Sequence, residues 1–270
     1  MIKMIFTDLD GTLLNNQNQV SDRNKEAIRA ARKAGIMFGI ATGRPLAAIK
    51  QLIKYWEIED LIDCLVCCNG AELVDMKNHQ ETFSYPLSAA TQHQIADAFQ
   101  KENVNLMIYD NGRLVVQQED AVSERLSRNN HMPRVLFEKT VLDREHAKLL
   151  ITADTDQMTR IEEILKQLRL PNLHGIKSQP DLMEVFDDRN SKSQGIEQLA
   201  ISHGYSLKET AAFGDQDNDL DMLKRCGLGI AMKNASLNAQ QAADDLTLSN
   251  LEDGVADYIE KHLLPFVYND

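Results

Sequence analysis

The sequence has no apolar run near the roughly 20 residues that a membrane-spanning helix needs. Its longest apolar stretch, Ala34 to Ala41, contains Gly35 and Gly39. It also lacks any run of Lys or Arg: 29 basic residues stand against 41 acidic ones, a formal net charge of −12. Nucleic acids and anionic membranes are held by basic surfaces, so this balance argues against both as partners. With 43% hydrophobic and 26% charged residues, the chain is too apolar and too evenly mixed to be disordered. There is no internal repeat, low-complexity tract or long linker. Asp8 and Asp10 interrupt the N-terminal segment before a signal-peptide apolar region forms, and the expected location is the cytoplasm.

Cysteine is scarce. Cys64, Cys67, Cys68 and Cys226 are the only four. Three of them sit in the apolar run CLVCC, with no second pair and no nearby histidine, and read as small hydrophobes rather than metal or redox ligands. The histidines are scattered, with no HxxxH pair. At 270 residues the chain buries roughly 70% of its unfolded surface, and its core needs neither disulfide nor structural metal.

MIKMIFTD reads as a short buried strand. Asp22 to Ala34 has helical apolar spacing ended by Gly35, and IMFGIAT is a second buried run. An amphipathic stretch to about Tyr55 and the third run, CLVCC, follow. Strand, helix, strand, helix, strand predicts a parallel sheet with helical crossovers. After Asn69-Gly70 the pattern changes. A hairpin around Asn111-Gly112, helices near Ser88–Glu102 and Thr155–Leu168, and the strand-like KLLITA and LMEVF predict an α+β insert. The first pattern then returns: helix Ser191–His203, a capping box at Ser206–Glu209, strand TAAFGD, helix Asn218–Arg225 and strand LGIAM. The fold class is α/β: a parallel-sheet core built from residues 1–82 and 190–270, with an α+β domain, 83–189, inserted between.

Four segments carry chemistry. In Asp8-Leu9-Asp10-Gly11-Thr12, two carboxylates end an apolar strand, and alternation would place both on one side. In Gly214-Asp215-Gln216-Asp217-Asn218-Asp219, acids this dense repel unless something positive sits among them, and Mg²⁺ takes oxygen ligands. Thr42-Gly43-Arg44 offers a hydroxyl, helix-start amides and a guanidinium to an anion. Lys192 stands at a helix start, a poor place for a cation unless an anion is near.

In this order the segments resemble the motif set of the haloacid dehalogenase-like superfamily, and the chain is similar to its Cof-type hydrolases, which carry a large α/β (type IIB) cap. The resemblance extends through Cys68-Asn69-Gly70-Ala71, through Gly229 to Ala235 and through Glu252-Asp253-Gly254-Val255. It implies a Rossmann-like core and a phosphatase acting on small phosphorylated metabolites, sugar phosphates or pyridoxal phosphate-like cofactors. It implies that Asp8 is a nucleophile forming an aspartyl-phosphate and Asp10 a general acid and base. Mg²⁺ is expected on Asp8, the backbone carbonyl of Asp10 and Asp215, with Asp219 orienting its waters or supporting Lys192. Thr42, Gly43, Arg44, Lys192 and Asn218 are expected at the phosphate or substrate. The cap sets substrate choice in such enzymes; Asn111, Arg113, Met183 and Glu184 are candidates within it. Relatives usually have glycine after the motif lysine; here Ser193 follows, and Gly195 comes later. A phosphomutase and a non-catalytic metabolite-binding protein are the competing readings. A monomer or small homo-oligomer is expected.

Overall fold

The structure is a computed structural model that describes residues 1–264. The chain divides into two compact units. The first comprises Met1–Leu46, Ile53–Thr82 and the residues from Ser191 onward. The second comprises Ala47–Leu52 and Phe83–Asn190.

The first unit is built on an eight-stranded sheet. In chain order the elements begin with β1 (Met4–Thr7), α1 (Asp22–Lys33), β2 (Met37–Ala41), α2 (Leu46–Tyr55, whose Ala47–Leu52 stretch groups with the second unit), β3 (Cys64–Cys67), β4 (Glu72–Asp75) and β5 (Gln80–Phe83). The second unit supplies α3 (Ala89–Ala98), β6 (Asn105–Asp110), β7 (Arg113–Val116), α4 (Ala121–Asn130), β8 (Arg134–Leu136), β9 (Leu149–Thr152), α5 (Met158–Leu168), β10 (Leu173–Gln179) and β11 (Leu182–Asp187). The chain then returns to the first unit with α6 (Lys192–Ser202), β12 (Thr210–Gly214), α7 (Leu220–Arg225), β13 (Leu228–Ala231), α8 (Leu237–Ala242), β14 (Asp245–Leu246) and α9 (Gly254–Tyr258).

The strand order of the larger sheet is β14-β13-β12-β1-β2-β3-β4-β5. All pairings from β14 to β3 are parallel, and β4 turns back antiparallel on β3. The α/β class and parallel-sheet core expected from the apolar runs are therefore present. From β1 the chain winds one way through β2 and β3, and on its return it winds the other way through β12, β13 and β14. The β1–β12 boundary is thus a topological switch point, where α/β sheets open a crevice beyond the strand ends.

Alternation along the strands fills both faces. Met4 and Phe6 of β1 pack with Val66 of β3, Ile196 and Leu199 of α6, and Met222 of α7. On the opposite side, Phe213 of β12 stacks edge-on against Tyr258 of α9, 5.7 Å between centroids. Cys64 and Cys226 belong to the first cluster. All four cysteines are free and buried, and burial pushes the Cys226 thiol up to about 11. Cys64 and Cys226 pack among apolar side chains as small hydrophobes do.

The second unit carries a six-stranded sheet, β10-β11-β9-β6-β7-β8. One face packs Leu106, Ile108, Leu149 and Ile151 with Ile95 and Phe99 of the α3 segment and Ile161 of α5. The other packs Met107, Leu114 and Leu150 with Leu126 of α4. The hairpin expected at Asn111-Gly112 is β6–β7. The helix expected from Asn218 begins later: Asp217–Asp219 form a 3₁₀ turn, and α7 proper starts at Leu220.

Phe6 is fully buried in the central strand. Phe6→Ala is expected to cost about 3–5 kcal/mol, read as a lower urea midpoint with little change in the slope of the transition.

Candidate active site

The site lies at the switch point because the register puts it there. Thr7 of β1 faces Phe213 of β12. The amide of Asp8, one residue beyond β1, donates to the Phe213 carbonyl at 2.9 Å. Asp215 leaves the sheet just past the end of β12, beside it. Both side chains are buried, as is Asp219.

Lys192 joins these acids. It is the first residue of α6, capped by Ser191, whose Oγ accepts from the Gln194 amide. The Lys192 side chain is 0% exposed, and its Nζ donates to Asp8 Oδ1 and to Asp219 Oδ1, each at 2.6 Å. Burial alone would push this ammonium down, but Asp219 and Asp8 outweigh it and hold Lys192 above the ordinary lysine range.

The carboxylates respond in the opposite sense. Burial lifts Asp8 well above the usual range; Lys192 opposes the shift, and Asp219 and Asp10 add to it. Burial likewise raises Asp215 to about 6, opposed by the Gln216 hydrogen bond and reinforced by Asp219. Three buried carboxylates face one ammonium. Two negative charges are left uncompensated, and a divalent cation is what that deficit calls for.

The donor set fits such an ion. Among the described residues, Asp8, Asp215 and Asp219 form the group with ligand atoms all within 4.8 Å of one another. All are oxygens, the choice of Mg²⁺ rather than of softer metals. Their existing bonds divide the work. Both Asp219 oxygens are taken: Oδ1 by Lys192, Oδ2 by the amides of Asp215 and Gln216 at 2.9 and 3.1 Å. Asp219 thus supports Lys192 through one oxygen and the turn through the other, whereas Asp8 bonds Lys192 through Oδ1 and Asp215 accepts a single side-chain donor on each oxygen. Asp215 is itself aimed: Thr12 Oγ1 donates to its Oδ1 at 2.9 Å and Gln216 Nε2 to its Oδ2 at 3.0 Å.

Two glycines make this approach possible. At Gly11, with φ +83°, a β-carbon would run into the Asp215 carboxylate. At Gly214 it would come within 2.6 Å of the Asp219 β-carbon.

Asp10 departs from the expected placement on one side of a strand with Asp8. The strand ends at Thr7, and Leu9–Leu13 form a tight turn. Asp8 is buried, whereas the Asp10 side chain is 57% exposed and ion-paired to Arg44. Arg44 Nε donates to Asp10 Oδ2 at 2.8 Å and Nη2 to Oδ1 at 2.6 Å. The turn, rather than strand alternation, sets their directions.

Thr42 is buried just past the end of β2, and its Oγ1 accepts from the Arg44 amide at 3.2 Å. The turn after β3 braces it: the amides of Cys68 and Asn69 donate to the carbonyls of Arg44 and Thr42. Cys68 and Asn69 are both left-handed, φ +47° and +54°, and the buried Asn69 Oδ1 has no hydrogen-bond partner. A β-carbon on Gly43 would lie 3.2 Å from that oxygen. Asn218 is exposed in the turn before α7. Thr12, Gln216 and Asn234, whose Nδ2 donates to the Gly11 carbonyl at 2.8 Å, support the site but carried no periodic or charge signal in the sequence.

The family model for haloacid dehalogenase-like hydrolases matches residues 5–259. A 5-amino-6-(5-phospho-D-ribitylamino)uracil phosphatase of Bacillus subtilis (strain 168) is 30% identical over 264 residues, covering 97% of this chain and 96% of its own length. A pyridoxal phosphate phosphatase of Escherichia coli (strain K12) is 26% identical over 274 residues, covering 97% and 99%. A solved sugar phosphatase of haloacid dehalogenase subclass IIB superposes with a TM-score of 0.83 at 25% identity, covering 97% of this chain and 99% of that one.

Replacing Lys192 by Met leaves buried carboxylates without a counter-charge. We expect Lys192→Met to lose about 3–5 kcal/mol in urea denaturation, and added Mg²⁺ to recover part of that loss.

Proposed function

The chain belongs to the haloacid dehalogenase-like hydrolases, and from that premise we propose that it is a Mg²⁺-dependent phosphatase of small phosphorylated metabolites. The observation that carries the reading is the buried constellation of Asp8, Asp215, Asp219 and Lys192 at the switch point of the sheet. Phosphate esters joined to a polyol or a heteroaromatic ring are the substrate class, by analogy with the ribityl phosphate and pyridoxal phosphate in the names of its relatives.

On this reading a carboxylate oxygen of Asp8 attacks phosphorus and the ester oxygen leaves, giving an aspartyl-phosphate. Asp10, protonated in the substrate complex once Arg44 has released it, donates that proton to the leaving alkoxide. It then takes a proton from the water that attacks the aspartyl-phosphate and returns Asp8 to its free form. For Asp10 to act, its bidentate ion pair with Arg44 must open. An incoming phosphate is an anion of the kind that Arg44 can accept in its place. The Thr42 hydroxyl, whose oxygen already accepts from the Arg44 amide, keeps its proton for a phosphate oxygen. Lys192 holds Asp8 in place and offers positive charge where charge gathers on the transferring group. Asp8 and Asp215 would hold the Mg²⁺, which supplies Lewis-acid stabilisation of the phosphoryl oxygens and offsets the repulsion between the nucleophile and the phosphate dianion.

The test is phosphate release across a panel of phosphorylated metabolites with Mg²⁺. Turnover of at least one is expected, and no turnover by folded protein overturns the reading. Asp8→Asn should lower kcat on the order of 10⁶-fold, the scale seen when a covalent nucleophile is removed. Asp10→Asn should cost roughly 10²–10⁴-fold, the range for general acid–base catalysis. Chelation by EDTA should abolish activity, and Mg²⁺ should restore it.

A further inference from the structure

Ser193, which stands after Lys192 where the resemblance leads one to expect glycine, has a definite place in the structure. Ser193 is 0% exposed. Its amide is an orphan donor of the first turn of α6, which the N-cap side chain does not reach. Asp221 Oδ2 accepts from it at 3.0 Å. Its hydroxyl oxygen accepts from Arg225 Nη1 at 2.6 Å. Asp221 and Arg225 lie one turn apart on α7, so both face the same neighbour. The Ser193 Oγ also lies 3.3 Å from Ser191 Oγ, the cap of α6. Because Ser193 accepts from Arg225, its own proton is free for Ser191, whose oxygen in turn accepts from the Gln194 amide. A guanidinium beside a helix N-terminus is unfavourable; here Glu197 takes its other arm at 2.8 Å.

These bonds join two particular points. Ser193 follows Lys192 at the start of α6. Asp221 stands two residues beyond Asp219, where α7 begins. Lys192 and Asp219 are the pair that meets at 2.6 Å in the buried cluster. A lysine side chain has four rotatable bonds, so the position of its ammonium depends on how firmly its backbone is held relative to the acids it must reach. We propose that Ser193 is a positioning residue for Lys192: its amide and hydroxyl clamp the start of α6 to α7 and set the separation at which Lys192 meets Asp219 and Asp8. Glycine at this position would keep the amide bond to Asp221 and lose the hydroxyl that Arg225 grips. The consequence for rate rests on the phosphatase reading; the consequence for the Lys192 ammonium does not.

Ser193→Ala removes the hydroxyl, keeps the amide and favours the helix, and Arg225→Gln removes the donor. Each should lower kcat by about 10–100-fold, the scale of a small misplacement transmitted from outside the reacting atoms, with KM little changed. The double variant should be no worse than the single ones, since both break one clamp. Ser193→Thr, which restores the oxygen, should recover most of the rate. Glu197→Gln leaves the clamp and should behave as wild type. A second readout needs no turnover: the Lys192 ammonium, enclosed between carboxylates, should give a slowly exchanging NMR resonance that broadens or vanishes in Ser193→Ala and Arg225→Gln. If both variants keep the wild-type kcat and the Lys192 resonance, whatever stability they lose, the clamp is structural only and the proposal fails. If the wild type releases phosphate from no ester, the phosphatase reading fails, and the Lys192 resonance alone decides the clamp.

Discussion

A single ammonium buried among three carboxylates governs the first unit. Lys192 is wholly enclosed and bonded to Asp8 and Asp219, and enclosing a charge costs several kcal/mol unless partners of opposite sign compensate it. One carboxylate would balance Lys192; with Asp8, Asp219 and Asp215 all beside it the cluster is anionic overall. The raised carboxyls of Asp8 and Asp215 express the same imbalance. The fold therefore holds a charge deficit in a dry place, and hydrogen bonds from Thr12, Gln216 and two backbone amides keep the acids from turning away from it.

The parallel sheet makes this concentration possible. Asp8 and Asp215 lie far apart in sequence, yet β1 and β12 are hydrogen-bonded neighbours in parallel register. Any residue just past the end of one comes close to its counterpart past the end of the other. Thr42 arrives by the same route from β2, and the brace of Cys68 and Asn69 from β3. Four strand ends thus supply acids, hydroxyl and support at one edge. The glycines at 11 and 214 remove the β-carbons that would hold Asp215 and Asp219 off.

Much of this was legible before the structure. Short apolar runs such as MIFT, FGIA and LVC can only be buried strands when helical segments separate them, and acids placed at their ends mark a ligand edge. The illegible part has physical causes. Asp8 and Asp10 look equivalent on an alternating strand, but the strand ends at Thr7 and the chain enters the Leu9–Leu13 turn between them, which sends the two carboxylates into different surroundings. The pairing of Arg44 with Asp10 is side chain to side chain across 34 positions, and no local pattern encodes it. Neither α4 nor β10 stood out: α4 buries only part of one face through Leu126, and β10 is largely exposed and interrupted by a bulge. The roles of buried Thr12 and exposed Gln216 are invisible for a simpler reason. Threonine and glutamine are ordinary surface residues, and only the position of Asp215 gives them a partner.

The overall charge of −12 opposes the binding of phosphate by a chain proposed to take it. The structure localises the conflict. Interactions between exposed charges fade beyond about 8–10 Å in physiological salt, so distant surface acids weigh little at the sheet edge. On the proposed reading a phosphate would meet the nearby set: Lys192, Arg44 and the Thr42 hydroxyl on one side, the three carboxylates on the other. That local sum is unfavourable until a divalent cation joins it. Cation binding and anion binding are then linked on this reading. The cation relieves carboxylates that burial has raised, and only the relieved site presents a phosphate with net attraction. Arg44 adds a second condition. It is engaged by Asp10, so on that reading a phosphate that drew it away would also free the carboxyl proposed as acid and base. On the proposed reading, the acid excess at the site makes phosphate binding depend on a cation held by the same carboxylates.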